Sequence, residues 1–221
     1  MTREKFQQQL QSLHDEVLNM GSMVGKAIMR SVEALKQRDV ELAKKVIDDD
    51  DLINKKRFEI EEMCVQLMVT QQPMACDLRA IVSVFSIIID LERIGDHAAG
   101  IAKIAIMIGQ EPPLKPLIDI PRMAIKVEDM LKRSLDSFIN RDAETAKKIP
   151  AEDDEVDNLY NQIFRELISF MVEDPRTITR ATRLLWVAHN LERSGDRVTN
   201  ICERVVFIVT GKMEEIGASK Y

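Results

Sequence analysis

Apolar residues recur along this chain at intervals of three and four over runs of twenty to thirty-five residues, the spacing that builds one face of an α-helix. Few stretches alternate as a strand would. Sparse breakers divide the pattern into six predicted helices, over residues 3–37, 40–70, 74–108, 118–140, 143–172 and 176–211. Asp39 in "QRDVELAKK" and Asp142 in "NRDAETAKK" read as N-caps, because an aspartate oxygen can accept from the free amides of a first turn. Pro73 in "QQPMACD" and Pro175 in "EDPRT" each stand between two long helical patterns, as a proline at a helix start does. Four of the seven prolines fall in "GQEPPLKPLIDIP" (109–121), which reads as a linker dividing the chain in half.

The two halves are copies of one another. Ser31 matches Ser134, "RD" at 38–39 matches "RD" at 141–142, and "AKK" at 43–45 matches "AKK" at 146–148, all at an offset of 103 residues. Beyond the second helix the offset falls to 100, as three residues are lost at the turn, and "LERIGD" (91–96) then aligns with "LERSGD" (191–196). An internal repeat of this length predicts an all-α fold of two tandem three-helix bundles, residues 1–110 and 111–221. A single continuous six-helix bundle is the alternative that the pattern leaves open.

Charge and composition narrow the function. A net charge of −6 argues against a general nucleic-acid binder, which needs a basic face. The longest apolar run, Ala80 to Ile89, is about half a membrane span and is bounded by Arg79 and Asp90, so no transmembrane segment is expected. The N-terminus is polar and shows no signal peptide, and Cys64, Cys76 and Cys202 show no paired spacing, which suits buried thiols in a reducing cytoplasm. Trp186 reads as core packing, His14 as a surface residue, and the run Asp48–Asp51, Asp50 apart, as a solvated face.

The repeated frame L-E-R-x-G-D carries the candidate chemistry. Like charges at i,i+4 destabilise a helix by roughly 0.2–0.5 kcal/mol and an interior glycine by about 1 kcal/mol, so something should offset them. Glu92 and Asp96 interrupt an apolar stripe that includes Leu78, Ile81, Phe85, Ile88 and Ala99; Glu192 and Asp196 follow Ile178, Ala181, Leu185 and Ala188 in the same way. The preceding helix carries Asp50 and Asn54, and in the second copy Asp153 and Asp157, on stripes with Phe58, Val65 and Met68 or with Phe164, Ile168 and Met171. Counting outward from turns near 72 and 174, the two acidic pairs of each hairpin come to face one another within about 3 Å at 1.5 Å per residue. Facing carboxylates suit a hard divalent or ferric cation, with Gly95 and Gly195 allowing close approach. The alternative is neutralisation by Arg93, Arg193 or other cations. The second copy is the better site, because Asn54 stands where Asp157 does.

Other chemistries find little support. There is no Glu-x-x-His pair for a di-metal oxidase and no glycine-rich nucleotide loop. Taken together, the tandem units, "QQPMACDLRAI" with "DLERIGDHAAGIA", and "NLERSGDRVTNICERV" resemble the PhoU family of bacterial phosphate-uptake regulators over nearly the whole chain. The resemblance implies two similar three-helix bundles with metal ions or clusters at E/D-x-x-x-D motifs. Carried over, these are Glu92 with Asp96, Glu192 with Asp196, Asp153 with Asp157, and Asp50 with Asn54. It does not distinguish Mg, Mn, Fe, Zn or Ca, nor one ion from several. Asn54 in place of an acid, and Arg197 where the family often has His, depart from the pattern. The resemblance further implies a non-enzymatic cytoplasmic adaptor, peripheral to the membrane through its partners and forming a homodimer. Those partners would be the ATPase subunit of a phosphate ABC transporter and a sensor histidine kinase, and the effect would be to damp phosphate import and the phosphate-starvation response. A helical-bundle metal store or metal-dependent enzyme is the competing class.

Overall fold

The structure, a computed structural model, describes residues 3–71 and 73–216; the expected turn residue Gln72 and the last five positions of the second unit lie outside them. It is all-α, as the repeat implies. The helices are α1 (Arg3–Gln37), α2 (Val40–Gln71), α3 (Ala75–Ile108), α4 (Asp119–Asn140), α5 (Ala143–Lys148), α6 (Asp153–Glu173) and α7 (Ile178–Thr210). The fifth predicted helix, 143–172, is in fact broken into α5 and α6. Pro150 lacks an N–H and cannot sit inside an α-helix, so Ile149–Glu152 tighten into a 3₁₀ turn.

The repeated "RD" is a complete helix-to-helix junction. Arg38 and Arg141 take left-handed φ values of 58° and 53°. That turn lets Leu35 and Ala34 accept from the amides of Arg38 and Asp39, and Phe138 and Ser137 from those of Arg141 and Asp142. The aspartate then caps the next helix: Asp39 Oδ1 accepts from the Leu42 amide at 2.9 Å, and Asp142 Oδ1 from Glu144 and Thr145 at 3.1 and 3.0 Å. Buried Ser31 and Ser134 make the same bond in each copy, donating to the carbonyls of Ile28 and Leu131.

The helices form two layers. One runs α2–α3–α7–α6; α1 packs behind α2 and α3, α4 behind α6 and α7, and α1 meets α4. Both units contribute to one continuous buried cluster, from Leu13 and Ile28 through Ile87 and Leu91 to Met123, Val187 and Val205. None of the described helices is long and apolar enough to cross a membrane.

Several expectations are corrected here. Trp186 is exposed, because it lies on the face of α7 turned away from α4. His14 is buried, edge-on to Phe138 at 5.1 Å, where α1 crosses α4. Cys64 and Cys202 are buried thiols but Cys76, in the first turn of α3, is exposed. Phe58, Val65, Phe164 and Ile168, expected on apolar stripes, stand on the outer surface of the four-helix layer.

The α3–α7 seam joins the two units and is pseudo-symmetric. Asp90 accepts from Arg197 and Asn200, each at 3.3 Å. The equivalent pair 100 residues on and back, Asn190 and Gly100, is also in contact: a Cβ on Gly100 would lie 3.2 Å from Asn190 Oδ1. Contacts that exchange in this way mean an antiparallel crossing about a local two-fold axis near Ile94 and Ser194. Arg197, which departs from the family's histidine, therefore serves the seam as the ion-pair partner of buried Asp90. Removing one member of such a buried pair strands the other at a cost of about 3–5 kcal/mol, less here because Arg197 keeps some water contact. Asp90→Asn is expected to lower the melting temperature by several degrees, and Asp90→Asn with Arg197→His to recover most of the loss, since that combination recreates Asn190 and His97 of the other half. Thermal unfolding of the four proteins of the cycle checks this; equal melting for single and double variants would refute it.

Candidate metal centre

Each candidate site lies about twenty residues from the turn of a helical hairpin, α2–α3 or α6–α7. In the second copy Asp153 is the first residue of α6, delivered by the 3₁₀ turn. That turn is tied down by Glu152, which accepts from Arg133 at 2.7 Å through both oxygens and from Lys126 at 2.6 Å. The hydrogen bonds from Arg133 hold Glu152 down to about 2. The first copy repeats the device at the same offset of 103, where Arg30 donates to Asp49 at 3.0 Å beside Asp50. The sequence reading missed this clamp, although the alignment of Arg30 with Arg133 and of Asp49 with Glu152 carries its signal.

Opposite each aspartate lies the glycine of the repeated frame. A Cβ on Gly195 would stand 2.3 Å from Asp153 Oδ1, and one on Gly95 would stand 3.2 Å from Asp50 Oδ1 and 3.3 Å from Ile53. The glycines are the notches into which these carboxylates fit. Asp50 is thereby brought against the Glu92–Asp96 turn of α3, and Asp153 against the Glu192–Asp196 turn of α7. Asn54 and Asp157 lie half-buried, one turn further along α2 and α6.

The two copies differ in how their charge is met. In the first, Arg57 reaches Glu92 at 3.4 Å, and Arg93 lies 3.2 Å from Asp96 and 3.7 Å from Glu92. Burial raises the Asp50 carboxyl above its usual range, with repulsion from Asp96 adding and Lys103 opposing. In the second, Glu192 is buried and has only His189 at 3.4 Å, while Asp153, Asp157 and Asp196 make no ion pair among the described residues. Arg193, a candidate neutraliser, makes none either. Burial, then repulsion by Asp157, Asp196 and Glu192, pushes Asp153 up to about 7. Burial, then repulsion by Asp196 and Asp157, pushes Glu192 up to about 7. Burial also raises Asp157 and Asp196.

Among the described residues, four buried carboxylate oxygens accept no hydrogen bond: Asp50 Oδ1, Glu92 Oε2, Asp153 Oδ1 and Glu192 Oε2. Orphaned buried acceptors are costly, and an all-oxygen set of this kind fits a hard cation. Yet among the described residues no three His, Cys, Asp or Glu side chains converge closely enough to hold a metal ion.

A PhoU domain model matches residues 17–105 and again 120–205. The chain belongs to the PhoU family. It is 41% identical over 217 residues to the phosphate-specific transport system accessory protein PhoU homolog of Clostridium acetobutylicum, covering 98% of this chain and 99% of that protein. The corresponding accessory protein PhoU of Escherichia coli is 36% identical, with coverage of 94% and 86%. The crystal structure of PhoU from Pseudomonas aeruginosa superposes with a TM-score of 0.89 at 37% identity, covering 94% of this chain and all of that one. The phosphate transport system regulatory protein PhoU from Streptococcus pneumoniae superposes with a TM-score of 0.88 at 32% identity, with coverage of 95% and 99%. These family members are described as accessory or regulatory proteins.

The glycine notch makes a prediction of opposed effects. Gly195→Ala removes the helix penalty of glycine, roughly 1 kcal/mol, worth about 2–4 °C in a chain of this size. It also forces the Asp153 carboxylate aside. Chelated Gly195→Ala should melt at or above wild type while binding Mn²⁺ at least tenfold more weakly by calorimetry; unchanged Mn²⁺ affinity would refute the notch.

A second prediction follows from the raised acids. Folded values near 7 for Asp153 and Glu192 exceed the unfolded carboxylate range of roughly 3.9–4.3, so their stabilisation is complete below that range and is lost as pH rises through 7. Buried His14 and His97, both held below their ordinary value, oppose this once the pH falls under about 6.5. In chelator, the wild-type melting temperature should therefore rise between pH 8 and 6.5. Asp153→Asn with Glu192→Gln should flatten that slope, and equal slopes in the two proteins would contradict the assignment.

Proposed function

We propose that this protein is an accessory regulator of phosphate transport, working at the cytoplasmic face of the membrane by contact with the transporter's ATPase subunit and a sensor histidine kinase. The observation that carries the reading is the 41% identity to a phosphate-specific transport accessory protein over nearly the full length of both chains. Its effect would be to damp phosphate import and the starvation response when phosphate is plentiful.

Within this reading the acidic hairpins bind a divalent or ferric cation. Asp153, Asp157, Glu192 and Asp196 would hold it in the second unit, and Asp50, Glu92 and Asp96 with Asn54 in the first. A bound cation supplies positive charge where carboxylates now repel one another. The chain's own part is to hold Asp153 over Gly195 through the Arg133–Glu152 clamp, and Asp50 over Gly95 beside Arg30–Asp49. Drawn together, each pair of helices would be fixed in one packing, which the partner then meets.

The decisive experiment combines binding with elemental analysis. Purified chain should bind the transporter ATPase subunit or the kinase's cytoplasmic part, carry a few metal ions at most, and turn over no substrate. Glu192→Gln with Asp196→Asn should lower metal content and weaken that binding at least tenfold. Native mass in the same preparation reads the homodimer that the family resemblance implies. Redox cycling, hydrolysis or loading with hundreds of ions, with neither partner bound, would instead establish the storage or enzymatic alternative.

A further inference from the structure

The outer surface of the four-helix layer carries apolar side chains that the core does not use, and it carries them twice. Val65 and Ile168, Val69 and Val172, and Leu78 and Ile178 are repeat-equivalent pairs, and all six are exposed. Val69 and Val172 are 76% and 78% open to water. One such exposure is ordinary on a protein surface, but the same three positions kept apolar and exposed in two diverged copies are not. Phe58, Phe164 and Trp186, each about half exposed, extend the surface. At roughly 150–250 Å² a ring they leave about 300 Å² in water, divided between the two units.

The two patches are related by the seam's local two-fold. Leu78 lies sixteen residues before Ile94, and Ile178 sixteen before Ser194, so each patch stands about 24 Å from the axis at 1.5 Å per residue. Because the crossing is antiparallel, they fall on one face at opposite ends, about 50 Å apart. We propose that this face docks a two-fold-symmetric protein homodimer, one subunit on each patch, with the partner's axis on the α3–α7 seam. The proposal rests on the accessory-protein reading and specifies the symmetry of the partner.

Charge selects this occupant over others. Arg93 and Arg193 stand near the axis and are exposed, and Arg193 makes no ion pair among the described residues. A protein partner can meet this pattern position by position, with acidic side chains opposite Arg193 and basic ones opposite Asp96 and Asp196, as a uniformly anionic surface cannot. A second copy of this chain docked face to face would oppose Arg193 to Arg193 and acidic groove to acidic groove, which costs several kcal/mol. An anionic bilayer would meet Asp196, exposed, and the half-exposed Asp96 and Asp157.

The test uses the full chain with a photo-crosslinking benzoylphenylalanine at Val65 or at Ile168, presented to the purified transporter ATPase subunit and to the kinase's cytoplasmic part. Both positions should crosslink to the same peptide of the same partner, and native mass should give one chain per two partner subunits. Val65→Glu and Ile168→Glu should each weaken binding at least tenfold, and the pair a hundredfold or more, as loss of a second linked contact does. Melting temperature should not change, because both positions are exposed. Crosslinks to different partner peptides, one-to-one stoichiometry, or crosslinks between two copies of this chain would overturn symmetric docking while leaving the accessory reading intact. Failure of either partner to bind would overturn both.

Discussion

The antiparallel contact of α3 with α7 is the constraint on which the rest of the structure depends. Each helix serves three neighbours around its circumference: α1 or α4 behind it, its hairpin partner on one flank, and the other unit on the opposite flank. Within one turn α3 places Asp90 in the seam and Glu92 in its own hairpin; α7 places Asp196 in its hairpin and Arg197 in the seam. The residues that join the units are therefore one or two positions from those that face each acidic groove. A shift of the seam moves both grooves, and the proposed cation, in drawing α6 onto α7, would act on a helix already committed to α3.

Carboxylates can be gathered at these positions because local structure offsets part of the cost. The glycine of L-E-R-x-G-D loses helix stability but admits an aspartate from the facing helix, which any Cβ at Gly195 would displace. A basic residue from α1 or α4 holds the acid just before that aspartate, Arg30 with Asp49 and Arg133 with Glu152. The clamp fixes the backbone while leaving the neighbouring Asp50 or Asp153 oxygen unpartnered. Arrangements that spend two ion pairs to present a bare carboxylate suit a binding site better than an inert core.

Most of the fold was legible in the sequence because its signals are local. The 3.6-residue period sets the helices, and Asp39 and Asp142 act as the caps their positions imply. The turn positions on either side of Gly95 and Gly195 set which carboxylates meet. Pro150 escaped because a strong apolar period continues on both sides of it, so the 3₁₀ turn that aims Asp153 was hidden. Periodicity also cannot separate a face buried in the core from one held out for a partner, since both are apolar at the same spacing. Val65, Ile168 and Trp186 are on the outside because α1 and α4 cover only the other side of the four-helix layer, a tertiary fact that the period does not carry.

Fusion of two copies in one chain frees them to diverge, and the divergence here has a direction. At the seam Asp90 pairs with Arg197 on one side, while on the other their repeat equivalents are Asn190 and His97, and His97 instead meets Ser194 Oγ at 3.2 Å. At the grooves Arg57 and Arg93 already neutralise much of the first acidic set, and Asn54 removes one charge from it. The second set keeps four acids and receives only His189. The proposed cation would have to displace or tolerate those arginines in the first groove, whereas in the second it would relieve repulsion that Arg193, Arg197 and His189 offset only in part. Because the charge of an oxygen-ligand set tunes its cation affinity, the proposed cation would occupy the second groove at a lower concentration than the first. On the proposed function, a chain symmetric in its fold and asymmetric in its charge would hold one hairpin fixed while the other still answers to its surroundings.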